Sequence, residues 1–372
     1  MGRARTILGI AAAAAAVGTA AWVLRDVPAA LGGRPGAGER GERVRRSPQF
    51  RDGAFRNNVV TTTMQPATAG QMLTDLLLGG EQRRPVGRVP LVTSNDAATA
   101  PIAEGLAITW YGHASALVEI AGRRVLIDPV WSARCSPSRL LGPRRLHDMP
   151  VALADLPPVD AVVISHDHYD HLDMTTIRTL SRHGDAVFVV PLGVGAHLER
   201  WGVPAGRLIE LDWTEQATVG DVTLTLTAAR HFSGRGLARD NTLWGSWVIA
   251  GGGRSVFYTG DSGYFDGYAA IGAEHGPFDA TLMQIGAYGE AWPFIHMTPE
   301  EAVAAHVDLG GDLLIPVHWA SFNLAFHAWT DPADRIWAEA KARDVRLAVP
   351  RPGERVDVDA PPAVDGWWQS LA

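Results

Sequence analysis

The segment that most constrains this chain is His-Asp-His-Tyr-Asp-His at residues 166–171, which directly follows an apolar run at residues 160–165. The run predicts a buried strand. The loop after it can direct His166 and His168 to one side while it turns Asp170 and His171 towards a neighbouring point. Imidazole and carboxylate groups spaced this closely are typical transition-metal ligands. We therefore interpret the segment as a site for two metal ions, in preference to a polar loop that is histidine-rich by accident.

The composition limits which kinds of metal site and which kinds of partner are possible. Cys135 is the only cysteine, so an intramolecular disulfide and a zinc site of several thiolates are both excluded. The apolar fraction of 47% in 372 residues is normal for a globular protein with a substantial core. Residues 1–56 carry ten arginines and four acids, which gives them a net charge of +6. Because the whole chain has a net charge of −7, the remaining residues carry −13. The acidic body argues against nucleic acid as a partner.

The N-terminal quarter is predicted to target or tether the protein. Residues 6–24 are apolar and alanine-rich, with Arg3 and Arg5 before them and Arg25 after them, and a stretch of about 19 residues is just long enough to span a bilayer. We interpret residues 1–25 as a signal peptide or a membrane anchor, so the protein is expected to be membrane-associated or exported. A soluble helix is the less favoured alternative, and the side of the membrane stays open.

Residues 26–104 are predicted to form a linker and a loosely packed lead-in, with one helical pattern at residues 69–78. The arginine cluster between Arg40 and Arg56 would either contact anionic lipid head groups or lie in solvent.

From Leu106 onward, short β-branched runs alternate with helical patterns, which predicts sheets covered by helices. Strands are predicted at 107–111, 116–120, 124–127, 161–165, 187–190, 222–228, 246–250, 255–259, 280–285 and 313–317. Helices are predicted at 174–182, 194–201, 264–275, 299–309 and 332–343.

Further candidate ligands lie just past apolar strands. His231, Asp261 and His318 each follow such a run, and Gly260 permits a tight turn before Asp261. Taken singly, such a residue often caps a helix or bonds a backbone group. Their joint occurrence after the segment at residues 166–171 makes them candidate metal ligands.

This order of motifs resembles the metallo-β-lactamase superfamily, whose fold is a four-layer αββα sandwich. Residues 105–354 resemble in particular the branch of N-acylphosphatidylethanolamine-hydrolysing phospholipase D. The matching segments include Trp-Tyr-Gly-His-Ala at 110–114, Leu-Trp-Gly-Ser-Trp at 243–247, Gly-Asp-Ser-Gly-Tyr at 260–264 and Pro-Glu-Glu-Ala-Val at 299–303. The resemblance implies an α/β hydrolase domain with this fold over residues 105–372.

The resemblance also implies a ligand set and a reaction. His166, His168 and His231 would hold one zinc ion, while Asp170, His171 and His318 would hold the second, and Asp261 would bridge them. Iron and manganese also suit mixed imidazole and carboxylate ligands. The implied reaction converts N-acylphosphatidylethanolamine-like phospholipids to phosphatidic acid and an N-acylethanolamine, through attack on phosphorus by a hydroxide that the two ions generate.

The remaining histidines divide into one candidate catalytic residue and several structural ones. His296 matches a position near the reacting phosphate and is predicted to bind a phosphoryl oxygen or to protonate the leaving group, unless it only caps the helix that begins near Pro299. Asp167 is expected to orient a ligand, and His113 to bond the backbone inside the sandwich. We interpret the others as structural: His147, His183, His197, His275, His306 and His327.

Two partners are expected, a phospholipid substrate and a membrane surface, and the sequence indicates no oligomeric state. Several apolar residues are candidates for the approach surface, although core packing is the default for each: Trp131, Leu140, Leu141, Trp292, Phe294, Phe322 and Phe326. Two alternatives stay open. One is a metal-dependent hydrolase of a carbon-centred ester such as a lactone, and the other is a non-catalytic, membrane-tethered metal-binding protein.

Overall fold

Two seven-stranded mixed sheets lie at the centre of the computed structural model, which describes residues 22–36, 38–65, 70, 74, 79–93 and 99–372. A separate hairpin of β1 (Phe50–Arg51) and β2 (Ala54–Phe55) precedes them. The sheet strands are β3 (Ala107–Gly112), β4 (Ser115–Ile120), β5 (Arg123–Ile127), β6 (Ala161–Val163), β7 (Val187–Pro191), β8 (Leu208–Leu211), β9 (Gln216–Val219), β10 (Val222–Thr227), β11 (Ser246–Gly251), β12 (Arg254–Tyr258), β13 (Phe278–Gln284), β14 (Gly311–Val317), β15 (Arg346–Leu347) and β16 (Arg355–Asp357).

The two sheets have similar topologies. Their strand orders are β16-β3-β4-β5-β6-β7-β8 and β15-β14-β13-β12-β11-β10-β9. Neighbours from β5 to β8 and from β12 to β15 pair in parallel, and all other neighbours pair antiparallel. Because the carboxyl ends of parallel strands share one edge of a sheet, each sheet presents a row of loops there.

Helices cover the outer faces of both sheets. The helices are α1 (Val27–Ala30), α2 (Glu39–Arg46), α3 (Met174–His183), α4 (Gly195–Arg200), α5 (Gly267–His275), α6 (Pro299–Asp308) and α7 (Asp331–Ala342). Helices α3 and α4 pack on the first sheet through Ile177 and Leu198, whereas α5 to α7 pack on the second. The layers are therefore helices, sheet, sheet and helices, and the predicted αββα sandwich is confirmed.

The strands of the first sheet are apolar on both faces because they serve two cores. Val118 and Ile127 point into the core between the sheets, while Leu117, Leu126 and Val162 pack against helices. This alternation follows from the two-residue period of a strand. Each such side chain stabilises the fold by about 1.5–3 kcal/mol when it is fully buried.

The predicted helices and long strands are present, with ends shifted by at most three residues, but the edge strands of the sheets were missed. Strands β8, β9, β15 and β16 are not predicted by the sequence patterns because they are short and partly exposed edge strands. Most of the helical pattern at residues 69–78 lies outside the described residues.

Parts of the predicted lead-in pack against the sandwich. Phe55 and Val44 are buried in the core between the sheets. Arg40 of α2 forms ion pairs with Glu199, at 2.7 Å, and with Glu210. This segment is therefore more ordered than its glycine and arginine content indicates, and the domain boundaries stay a prediction. Residues 1–21, which hold most of the predicted anchor, are not described, and no helix in the described part of the chain is long and apolar enough to cross a bilayer.

Candidate metal centre

The seven predicted ligands meet at the edge of the sandwich where the strands end. Residues 166–171 form the loop after β6, whereas His231, Asp261 and His318 follow β10, β12 and β14. The main chain is strained at one of these positions, because His318 has a φ of 63°. A left-handed conformation costs a non-glycine residue about 1–2 kcal/mol. The hydrogen bond from the His318 N–H to the His113 carbonyl, 2.8 Å long, holds it there.

Three imidazoles form a first group. The Nδ1 atom of His168 lies 2.9 Å from Nε2 of His166 and 3.3 Å from Nε2 of His231. The His231 ring donates from Nδ1 to the carbonyl of Ile295 over 3.0 Å, which leaves its Nε2 lone pair directed at the other two rings. The arrangement presents three nitrogen donors to one point.

A second group contains Asp170, His171 and His318. The Oδ2 atom of Asp170 lies 3.3 Å from Nε2 of His318 and 3.6 Å from Nε2 of His171. His113 joins this group because its Nε2 lies 2.9 Å from the same oxygen. The prediction that the His113 side chain bonds the backbone is therefore wrong. Only its main chain does so, and its φ of 53° turns the ring towards Asp170.

Asp261 lies between the two groups. Its Oδ2 is 3.8 Å from Nε2 of both His166 and His231, and 3.1 Å from Nε2 of His171. Its Oδ1 is 3.1 Å from Nε2 of His318. One carboxylate thus reaches both groups, as a bridging ligand does.

The unmet bonding capacity of these atoms fits metal binding. The Nε2 of His171 and the Oδ1 of Asp261 are buried and have no hydrogen-bond partner among the residues that the structure describes. Buried polar atoms without a partner are rare in folded proteins. Two cations among these nitrogen and oxygen donors would satisfy them, and such donors suit zinc, iron or manganese.

The electrostatics of the site divide the histidines into two kinds. Burial lowers the pKa of His166 and of His231 well below its usual value, so both rings are neutral and offer lone pairs. Burial also acts against the charged form of His318, but Asp261 and Asp170 raise its pKa to about 9. The pKa of His171 is raised well above its usual value for the same reason. Asp170 and Asp261 therefore stabilise positive charge at this point, and bound metal ions would provide such charge.

A residue that the sequence interpretation missed, Asp128, orients His171. Its buried Oδ2 accepts hydrogen bonds from His171 Nδ1 at 2.7 Å, from Ser165 Oγ at 2.5 Å and from Tyr258 OH at 2.5 Å. Its Oδ1 accepts from the Ser165 N–H at 2.7 Å. The bond to Nδ1 fixes the tautomer that leaves Nε2 of His171 free for a metal. Asp128 directly follows the apolar strand β5, which is the same signal that identified Asp261.

Asp167 braces the loop that follows His231. Its Oδ1 accepts from the Gly234 N–H at 2.7 Å, and its Oδ2 accepts from Thr242 at 3.0 Å and contacts His197 at 3.2 Å. Asp167 therefore supports ligand-bearing loops from outside the centre.

His296 lies at the open side of the centre. Its Nε2 is 3.8 Å from Asp261 Oδ2, and 12% of its side chain is exposed. The alternative that His296 caps helix α6 is wrong, because Thr298 caps it through a hydrogen bond from the Glu301 N–H. Burial lowers the pKa of His296 to about 4, although Asp261 opposes the shift, so the ring is neutral near pH 7.

The histidines interpreted as structural do not belong to the candidate ligand groups found among the described residues. His147 contacts Ser321 Oγ at 2.8 Å, and His306 contacts Thr281 Oγ1 at 2.8 Å. His327 accepts from the Ala287 N–H. These rings satisfy buried polar groups, and they hold the loops and strands near the centre in place.

Comparison with known proteins decides the family. The sequence profile of the β-lactamase superfamily domain matches residues 123–319, just over half of the chain. The chain belongs to the metallo-β-lactamase superfamily. It is 48% identical to an uncharacterised protein of Mycobacterium tuberculosis, over 98% of this chain and 99% of that one. It is 34% identical to the N-acyl-phosphatidylethanolamine-hydrolyzing phospholipase D 1 of Caenorhabditis elegans, over 64% of this chain and 71% of that one.

A solved structure supports the same placement. Igni18, a metallo hydrolase of the archaeon Ignicoccus hospitalis, superposes with a TM-score of 0.53 at 25% identity, over 68% of this chain and 97% of that one. Superfamily membership and the two clustered ligand groups together identify this protein as a metal-dependent hydrolase. The resemblance to the phospholipase D branch agrees with these relatives.

Proposed function

We propose that this metallo-β-lactamase superfamily member is a dinuclear metal phosphodiesterase of the phospholipase D type. Its substrate would be an N-acylphosphatidylethanolamine-like phospholipid, and its products phosphatidic acid and an N-acylethanolamine. The observation that carries the proposal is the position of Asp261 between two ligand groups. The relative from Caenorhabditis elegans, whose name states this activity, supports the choice of substrate.

The ligand set suits hydrolysis of a phosphodiester. Two zinc ions held there would supply a hydroxide nucleophile near pH 7 and would stabilise the negative charge that builds up on phosphoryl oxygens. Asp261 would hold the two sites at a fixed separation. The pKa of His296 is lowered to about 4, so at pH 7 its ring is neutral and carries no extra proton to give to a leaving group. The neutral ring would instead donate a hydrogen bond to a phosphoryl oxygen.

A small cavity beside the second ligand group combines a cationic and an aromatic group. The exposed part of the ligand set consists of Asp170, at 15%, and the half-buried His168. Arg83 lines a small cavity together with His113 and His318, and its guanidinium lies 5.6 Å from the ring centroid of Phe326. An arginine there would attract a phosphate group, and the adjacent ring would contact an acyl chain. Phe322, in contrast, is buried.

Membrane association is part of the proposal. The side chains of Trp22, Leu24, Leu140 and Leu141 are exposed, and we name these four residues the apolar patch. The two parts of the patch are neighbours, because Ser138 Oγ donates to the Val23 carbonyl over 2.9 Å. Arginines flank both parts, at positions 25 and 139. Exposed apolar side chains beside cations favour an anionic lipid surface.

Product identification tests the proposed activity. The full chain is loaded with zinc and incubated with N-acylphosphatidylethanolamine, and the products are analysed by mass spectrometry. Release of phosphatidic acid and N-acylethanolamine supports the proposal. Intact phospholipid with rapid opening of a lactone would instead assign the same centre to carbon-centred esters.

A further inference from the structure

Asn57, in the predicted lead-in, bonds the main chain of the metal ligand His231. Its Nδ2 donates to the His231 carbonyl over 2.7 Å, and its Oδ1 accepts from the His231 N–H over 3.0 Å. The same Oδ1 accepts from the indole N–H of Trp244 over 3.2 Å. His231 lies four residues beyond the end of β10, past the last residue of that strand that pairs with β11. One side chain therefore satisfies both main-chain polar groups of a ligand.

Together with a bond to its ring, these bonds hold His231 at two points, the ring and the main chain. The ring is held through Nδ1 by the Ile295 carbonyl at 3.0 Å, so its Nε2 points at His168 and Asp261. The Ile295 contact sets the direction of the ring, whereas Asn57 sets the position of the backbone that carries it. A metal ligand needs both, because a site 1 Å too loose loses its function.

Asn57 is itself firmly placed. The preceding hairpin buries Phe55, which packs edge-on against Phe50 with ring centroids 5.2 Å apart. The Phe55 N–H donates to the Asp240 carbonyl over 2.8 Å. After Asn57, the chain is held by Arg230, whose guanidinium donates to the Val60 carbonyl at 3.1 Å and to Thr61 Oγ1 at 3.2 Å. Contacts on both sides thus hold Asn57 against the loop of His231.

We propose that Asn57 is a positioning residue of the metal centre. Through Asn57, the segment at residues 39–61 fixes the main chain of His231 and sets the affinity of the His166, His168 and His231 group for its ion. Groups that orient a ligand change metal affinity by about 10–100-fold when they are removed. The proposal rests on the metal centre and not on the identity of the substrate.

Zinc retention by the full-length chain tests this role. Wild type, Asn57→Ala and Asn58→Ala are loaded with zinc, and transfer of the zinc to a chromogenic chelator is followed in time. Asn58 is exposed and adjacent in sequence, so it is the matched control. The expected result is that one ion leaves Asn57→Ala about 10–100-fold faster than it leaves wild type and Asn58→Ala. Asn57→Asp keeps the acceptor but loses the donor, so its release rate falls between the two.

A double variant separates positioning from general stability. If Asn57 acts through His231, the variant carrying both Asn57→Ala and His231→Ala retains zinc no worse than His231→Ala alone. Wild-type zinc release from Asn57→Ala, even with a lower melting temperature of the metal-free protein, would overturn the proposal. Where Asn57→Ala does not fold, Asn57→Asp provides the same test. A wild-type chain that binds no zinc would refute the metal centre itself, which is a different outcome.

Discussion

Replacement of Asp128 by asparagine is expected to weaken metal binding by changing the tautomer of His171. In the native centre, Asp128 Oδ2 accepts a hydrogen bond from His171 Nδ1 at 2.7 Å. In Asp128→Asn an amide N–H replaces that oxygen, since Oδ1 must still accept from the Ser165 N–H. The His171 proton then moves to Nε2, which lies 3.1 Å from Asp261 Oδ2 and can no longer bind a metal.

The magnitude follows from the bonds that Asp128 makes. Loss of an orienting carboxylate costs about 10–100-fold in metal affinity, which corresponds to about 1.4–2.7 kcal/mol. The metal-free protein also loses a buried hydrogen bond to a charged group, worth about 1.5–3 kcal/mol. The Ser165 and Tyr258 hydroxyls can rotate to accept from the new amide, so the fold itself is expected to persist.

Chelator competition and thermal unfolding measure the two effects separately. Asp221→Asn is the control because Asp221 is exposed and its replacement removes the same charge. The expected result is weaker binding of one zinc ion in Asp128→Asn and wild-type affinity in Asp221→Asn. Wild-type zinc affinity in Asp128→Asn would refute the reasoning about the tautomer.

Three further changes have defined outcomes. His296→Ala is expected to lower phospholipid turnover by about 10²–10³-fold at unchanged zinc content, and unchanged turnover would remove His296 from the proposed chemistry. His306 is buried and neutral, with a folded pKa lowered to about 4, so the stability it contributes is present above its unfolded pKa of 6.5 and is lost as pH falls towards 4. Between pH 7 and 5, the free energy of unfolding of wild type should therefore fall by about 2 kcal/mol more than that of His306→Gln, as measured by chemical denaturation. The control variant His183→Gln, at an exposed site, should behave as wild type. The double variant Leu140→Asp, Leu141→Asp should bind vesicles more weakly, by about tenfold or more, but turn over detergent-dispersed lipid at an unchanged rate. Unaltered vesicle binding would show that the apolar patch does not contact the membrane.

The candidate ligands could be identified from the sequence because each has a local signal. An apolar run followed at once by a polar residue marks a strand end, and strand ends of a sandwich face one edge. The segment at residues 166–171 contains four candidate ligands, and the same pattern indicates His231, Asp261 and His318 as candidates. The structure brings these seven residues together. The strand and helix patterns predicted only sheets covered by helices. The four-layer αββα order came from the resemblance to the metallo-β-lactamase superfamily.

The residues that the sequence did not reveal act through distant partners. Asp128 bonds a histidine 43 positions later, and Asn57 bonds a residue 174 positions later. The role of His113 depends on a left-handed main-chain conformation, which the residue type does not disclose. Such pairings are set by the tertiary fold. Neither the spacing of apolar residues nor the spacing of candidate ligands in the sequence predicts them. Asp128 and His113 each carried one usable signal, a position directly after an apolar strand.

Anomalous diffraction from zinc-loaded crystals tests the dinuclear centre most directly. Two zinc peaks about 3.5–4 Å apart are expected. One should lie among His166, His168 and His231, and the other beside Asp170, with Asp261 in contact with both. A single peak, or two peaks that do not share the Asp261 carboxylate, would contradict the dinuclear account.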